Sequence, residues 1–93
     1  MSSPNVETSM NPRPRLRPLF HVQRETATRG WALLSLKGAI ELNPSAGEIL
    51  VRCDGTRELD EIIDELEALF STSDLAADIY RFIDQARQRG WIE

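Results

Sequence analysis

Between residues 18 and 42 the apolar positions alternate over short runs, and from residue 44 onward they recur every three or four residues. The first pattern belongs to strands, whose successive side chains face opposite ways, and the second to amphipathic helices. In PLFHVQRE, Leu19, His21 and Gln23 alternate with Phe20, Val22 and Arg24, and Pro18 is acceptable at a strand start. TATRG, residues 26–30, reads as a turn-like link to WALLSL, and Lys37-Gly38 as a tight connection to AIEL. In that last run Ile40 and Leu42 point one way while Ala39 and Glu41 point the other. Three short strands with short links predict an antiparallel meander, which needs helices on one face to be stable.

The second half supplies them. Asn43-Pro44 offers a cap followed by a proline at the first helical position, and Ser45 with Glu48 offers a competing capping box, which leaves the start open by two residues. Ala46, Ile49, Leu50 and Cys53 share one face of a helix over about 44–53, and Asp54-Gly55 is expected to end it. A second helix, about 58–70, carries Leu59, Ile62, Ile63, Leu66 and Phe70 as its stripe, opposite Glu58, Asp60, Glu61, Asp64, Glu65 and Glu67. STSD at 71–74 reads as both turn and cap. The third helix, about 74–89, has Leu75, Ile79, Phe82, Ile83 and Ala86 on one side and stops at Gly90, with Trp91 placed to fold back onto its last turn. The expected class is α+β: a three-stranded antiparallel sheet followed by three helices, winged-helix-turn-helix-like.

Composition narrows this picture. Residues 1–15, MSSPNVETSMNPRPR, hold three prolines and few large apolar side chains, so they read as a flexible proline-rich tail ahead of one domain on 16–93. A domain of that size builds one modest core and no deep enzyme cleft beside it. The single cysteine excludes an internal disulfide and a cysteine-based metal cluster. No apolar run approaches a membrane span and the start lacks a signal-peptide core, so a soluble cytoplasmic domain is expected. Residues 1–57 carry eight Lys or Arg against five acidic residues, whereas residues 58–93 carry three against ten. The acidic back half either meets a partner with some positive charge or simply keeps the helices solvated.

Candidate chemistry is sparse. His21 is the only histidine and has no second histidine or cysteine partner nearby, where a metal site needs three or four converging ligands. Cys53 lies on an apolar helix face and reads as a small core residue. The carboxylates between Glu58 and Glu67 sit at helical spacing on a polar face, without a cleft to shift a pKa. The glycines are isolated, so there is no phosphate loop. No catalytic residue, cofactor or metal is expected. A winged-helix DNA reader fits the element order, but residues 74–89 hold three acidic and three basic residues and the preceding helix six acidic and none basic. That balance argues against nucleic acid as partner.

Taken together, ELNPSAGEILVRCDGTRELDEI, DIYRFI and GWIE resemble the pyrroloquinoline quinone (PQQ) biosynthesis protein D family, PqqD. The shared pattern is a Leu-Asn opening, a small-residue helix closing on Cys-Asp-Gly, an apolar helix after a basic residue, an Asp-led helix with Phe, and a final Gly-aromatic-aliphatic group. It covers roughly residues 16–93, and Asn43 to Gly55 is its specific part. Glu58 stands where a Ser or Thr cap is usual, which moves the expected cap to Thr56, and Ala86 stands where a larger aliphatic is usual. The resemblance implies a peptide chaperone, or leader-recognition element of a ribosomally made and modified peptide. Such a protein holds the precursor peptide (PqqA) and presents it to a radical S-adenosylmethionine (SAM) enzyme (PqqE), which cross-links a glutamate and a tyrosine. The implied peptide-binding groove runs between Ala39, Ile40, Glu41 and Leu42 of the third strand and Leu75, Asp78, Ile79, Phe82 and Ile83 of the last helix. Asp78, one residue before Ile79, is expected to flank it, either pairing with the peptide or merely favouring the helix dipole. Leader recognition in another modified-peptide pathway, and a purely structural subunit of an enzyme complex, are the neighbouring readings. A monomer is expected, since no apolar stripe is left over, with exchange of the proline-rich arm between copies confined to high concentration.

Overall fold

The computed structural model describes residues 13–93. Three strands, β1 (His21–Arg24), β2 (Trp31–Ser35) and β3 (Gly38–Leu42), form an antiparallel sheet in the order β1-β2-β3. Three helices follow: α1 (Pro44–Val51), α2 (Leu59–Leu69) and α3 (Ala76–Gln88). The register pairs Leu33 with Val22 on one side and Ile40 on the other, and Trp31 with Arg24 and Leu42. Because side chains alternate across a sheet, these residues share the face that meets the helices. There Leu33 is wholly buried and packs with Trp31, Leu42, Ile49, Leu50, Ile62, Leu66, Ile79, Ile83 and Ile92 in one core. Gly47 makes the closest approach: a Cβ at that position would run into the Trp31 side chain, so glycine lets α1 lie directly against β2.

The helix ends show which local signals hold. Asn43 caps α1, its Oδ1 accepting the Ala46 N–H at 2.8 Å, and Pro44 opens the helix. The Ser45–Glu48 alternative is not used, because Glu48 instead pairs with Arg52 at 2.8 Å. Gly90, with φ at +79°, closes α3 in the expected manner. The Gly90 N–H donates to the Arg87 carbonyl and the Trp91 N–H to that of Ala86, which folds the buried Trp91 back onto the last turn.

Elsewhere long-range partners displace the expected ones. The first strand begins at His21 because Pro18-Leu19 forms a turn, with the Phe20 N–H donating to the Arg17 carbonyl at 3.2 Å. Helix α1 stops at Val51, so Asp54-Gly55 is not its terminator. Asp54 instead accepts the Thr56 N–H at 3.0 Å and organises a separate turn. Thr56 does not cap α2; Glu58 does, with Glu61 accepting the Glu58 N–H at 2.7 Å. Asp74 does not cap α3 either. The Leu75 N–H donates across to Glu67 Oε2 of α2 at 2.9 Å, and Asp74 sits in the left-handed region with φ at +64°.

The proline-rich tail also ends earlier than expected. Residues 1–12 lie outside the described residues, but Pro14 is fully buried and Arg15 is paired. Residues 14–17 form a strap between two distant segments. On one side the Gly55 N–H donates to the Pro14 carbonyl and the Leu16 N–H to that of Cys53. On the other the Glu93 N–H donates to the Arg15 carbonyl and the Arg17 N–H to that of Trp91, each bond within 3.0 Å. Composition marked this stretch as solvent-loving; two strand-like neighbours make it part of the fold.

Candidate functional site

Strand β3 is an edge. One side pairs with β2 along its whole length, and among the described residues no strand lies on the other. Such an edge offers unpaired main-chain donors and acceptors to an extended partner. Helix α3 belongs to the same core as the inward face of β3, through Ile79, Ile83 and Ala86 beside Leu42. Two hollows lie near these elements, and neither is lined by residues of both β3 and α3. One, of about 350 Å³, lies among the helices just past the end of β3, lined by Asn43, Ser45, Ala46 and Ile49 from α1 and its cap, by Leu66 and Phe70 from the end of α2, and by Leu75, Asp78, Ile79 and Phe82 from the start of α3. The other, of about 380 Å³, lies at the start of β3, where Ala39 and Ile40 border it together with Trp91 and Arg89 beyond α3. The start of α3 thus lies toward Asn43, just past β3, and the residues after α3 lie toward the start of β3.

The nine expected groove residues divide by burial. Leu42, Ile79 and Ile83 are core residues, exposed by 8%, 3% and 1%, and have little side-chain surface left to offer. Leu75 and Phe82 are half-buried and pack on the core from the groove side. Ala39, Ile40, Glu41 and Asp78 are exposed. Of these Ile40 is the apolar one that faces the helices, 43% exposed on an otherwise inward-pointing row. Glu41 borders a hollow on the far side of the sheet with Glu25 and Leu34, so it meets an added strand through its main chain. Asp78 stands at the first hollow and already holds Arg81 at 3.1 Å, an exposed pair of small worth in water.

Sequence reasoning missed Asn43 and Phe70 at the first hollow. Asn43 read only as a cap, and it does cap, but its side chain also borders the opening. Phe70 read as part of the core stripe; it falls at the end of α2 and is 39% exposed. The charged groups elsewhere serve structure. Arg52 donates to Glu48 and to Glu65, and Arg57 donates to Glu65 at 2.9 Å, which ties α1, the following turn and α2 together. Burial works against the Arg52 charge, but its bonds to Glu48 and Glu65 more than compensate and raise its pKa. Burial would likewise raise Glu65, and the bonds from Arg57 and Arg52 outweigh it and hold the carboxyl below its ordinary value. Cys53 is buried, its thiol donates to the Ile49 carbonyl, and burial followed by the Asp54 charge pushes its pKa from 9.0 to about 12. It has none of the thiolate character of a reactive cysteine. His21 is exposed on the opposite edge strand, β1, away from both hollows.

Comparison with known proteins matches this architecture. The family model described as Coenzyme PQQ synthesis protein D (PqqD) matches residues 30–92. A PqqA binding protein of Azotobacter vinelandii is 40% identical over 88 residues, covering 94% of this chain and 96% of the relative. Its counterpart in Pseudomonas fluorescens Pf-5 is 43% identical over 81 residues, covering 86% and 89%. A solution NMR structure of the PqqD truncation of Methylobacterium extorquens PqqCD, described as a functional stand-alone RiPP recognition element, has a TM-score of 0.69. At 22% identity over 86% of this chain and 87% of that one, it shows a shared fold.

Proposed function

The chain belongs to the coenzyme PQQ synthesis protein D (PqqD) family, and from that membership we propose that it is a non-catalytic peptide chaperone of PQQ biosynthesis. It takes the ribosomal precursor peptide as a fourth strand along β3 and presents it to the radical SAM enzyme that modifies it. It works as a monomer in the cytoplasm; no helix of the described residues is long and apolar enough to cross a membrane. The observation that carries the reading is the edge of β3, unpaired among the described residues, with Ile40 exposed on it and Phe82, Phe70 and Leu75 around the hollow just past its end. Strand addition draws affinity from main-chain bonds and selectivity from pockets for alternate side chains.

The magnitudes suit a transient carrier. Alternate residues of a five-residue edge present their main-chain groups outward, giving roughly four bonds at about 1 kcal/mol net each. Two apolar side chains placed against Ile40 and Phe82 add about 2 kcal/mol each. Ordering a flexible peptide takes back several kcal/mol, which leaves binding in the micromolar range or somewhat tighter. Such binding holds the peptide without trapping it.

Titration of isotope-labelled protein with synthetic precursor peptide tests the proposal. Amide shifts concentrated at 39–43 and 75–82 are expected. Shifts that spare both segments, or that duplex DNA elicits in place of the peptide, overturn it. Sizing across a concentration series tests the monomer, which a dimer persisting at low micromolar concentration would refute.

A further inference from the structure

The hollow at the start of β3 differs from the one at its end in what lines it. Leu19, Leu36 and Ile40 are exposed by 65%, 84% and 43%, and all three border this one opening over the buried Trp91. Leu19 holds a left-handed backbone, φ +79°, a conformation unfavourable for a leucine, at the point where its side chain stands in water. Convergent apolar exposure of this kind marks an interaction surface, whereas scattered exposed leucines do not. The charge is equally one-sided. Lys37 and Arg89 stand at the rim, no carboxylate lines the opening, and neither cation forms an ion pair among the described residues. Arg89 is held over the Trp91 ring at 5.3 Å, which positions its guanidinium. At the other end of the groove the charged residue is Asp78.

We infer that this hollow is a second anchor site of the same groove, taking an apolar side chain of the bound peptide that lies next to a carboxylate. The inference rests on strand addition to β3. It goes further by giving the groove an electrical direction: the acidic end of the bound segment lies by Lys37 and Arg89, its neutral or basic end by Asp78. Ala39 and Asn43 are about 13 Å apart along an extended chain, so the two anchored peptide positions are about four residues apart.

Calorimetry with synthetic precursor peptide, at low and high salt, tests it on the full chain. Leu36→Ser alters a side chain in open water and leaves the fold intact; it is expected to weaken binding roughly tenfold, the loss of one buried apolar anchor. Lys37→Gln, also in an exposed loop, is expected to weaken binding several-fold and to flatten its salt dependence. A peptide whose carboxylates are replaced by amides should bind wild-type protein at least as weakly as the original binds Lys37→Gln, because it loses Arg89 as well, and Lys37→Gln should then weaken its binding little further. Wild-type affinity and salt dependence in both variants, with amide shifts at 39–43 retained, would overturn the second anchor and leave strand addition standing. Shifts absent from β3 in the wild-type protein would remove strand addition and this anchor together.

Discussion

At the seam between α1, the following turn and α2, nearly every charged group has found a partner: Arg52 holds two carboxylates, Arg57 shares one of them, and Asp54 is engaged by Thr56. Some residues away, along β3 and α3, the main chain of an edge strand has no partner strand among the described residues and apolar side chains stand half in water. Both regions draw on one core. The first has spent its bonding capacity internally, and its residues matter to whether the domain stands. The second has kept its capacity unspent, and its residues matter to what the domain holds. A chain this small has room for both only by keeping them apart, so substitutions should separate cleanly into those that change melting and those that change binding.

The largest effect expected lies on the seam side. With its pKa at about 12, Cys53 should react with iodoacetamide at pH 8 about a thousandfold more slowly than an unfolded cysteine. The sign for stability follows: the raised folded value makes this contribution complete below pH 9 and lost as pH rises toward 12. Rapid labelling of the native protein would show that the seam opens readily. Next comes Gly47→Ala, whose methyl must displace the Trp31 ring. A cost of about 3 kcal/mol is expected, a fall of well over 10 °C in melting temperature, while the protein that remains folded binds peptide as before.

Glu65→Gln probes the ion pairs directly. Its carboxyl is depressed in the fold, so its stabilisation is present above the ordinary carboxylate pKa and disappears as pH falls through the lower folded value. The side chain is 40% exposed and solvent screens the pairs, so the loss at pH 7 should be about 1 kcal/mol. Melting curves of variant and wild type should converge in acid; a constant gap would mean that shape rather than charge is responsible. The smallest effect crosses to the groove. Asp78→Asn keeps the shape and releases only an exposed pair with Arg81, so melting should move by less than about 0.5 kcal/mol. Peptide binding should weaken several-fold. A drop in melting with wild-type affinity would make Asp78 a structural residue and blur the division between the two regions.

Where local chemistry decides, the sequence was readable. The quartet Ala46, Ile49, Leu50 and Cys53 is buried as its spacing requires, Asn43-Pro44 opens α1, and Gly90-Trp91 closes α3. Distant segments account for the misreadings. Asp54-Gly55 resembles a helix terminator, but its main chain is engaged by Pro14 and Arg15. Ser73 and Asp74 resemble a cap, but Glu67 reaches over from α2 and takes the Leu75 N–H first. The groove divides in the same way. Its positions follow from strand alternation, helix periodicity and family pattern, all of which are local. Which of them are consumed by the core, as Leu42, Ile79 and Ile83 are, depends on how closely α3 settles on the sheet.

The strap has a consequence for the order in which the molecule is made. Leu16 leaves the ribosome among the first residues of the domain, and Ile92, which it pairs with, among the last. At roughly 5–20 residues per second, several seconds of synthesis separate them. Until then the strap has one bank and no other, so the segment Trp91 to Glu93 acts as a latch on a body whose sheet and helices are already made. Trypsin can report the latch: Arg13 and Arg17 each precede a proline and resist cleavage, leaving Arg15–Leu16 as the scissile bond of this segment. Full-length protein should be cut there slowly, and a chain ending at Gly90 quickly, with the sheet and helices intact in both.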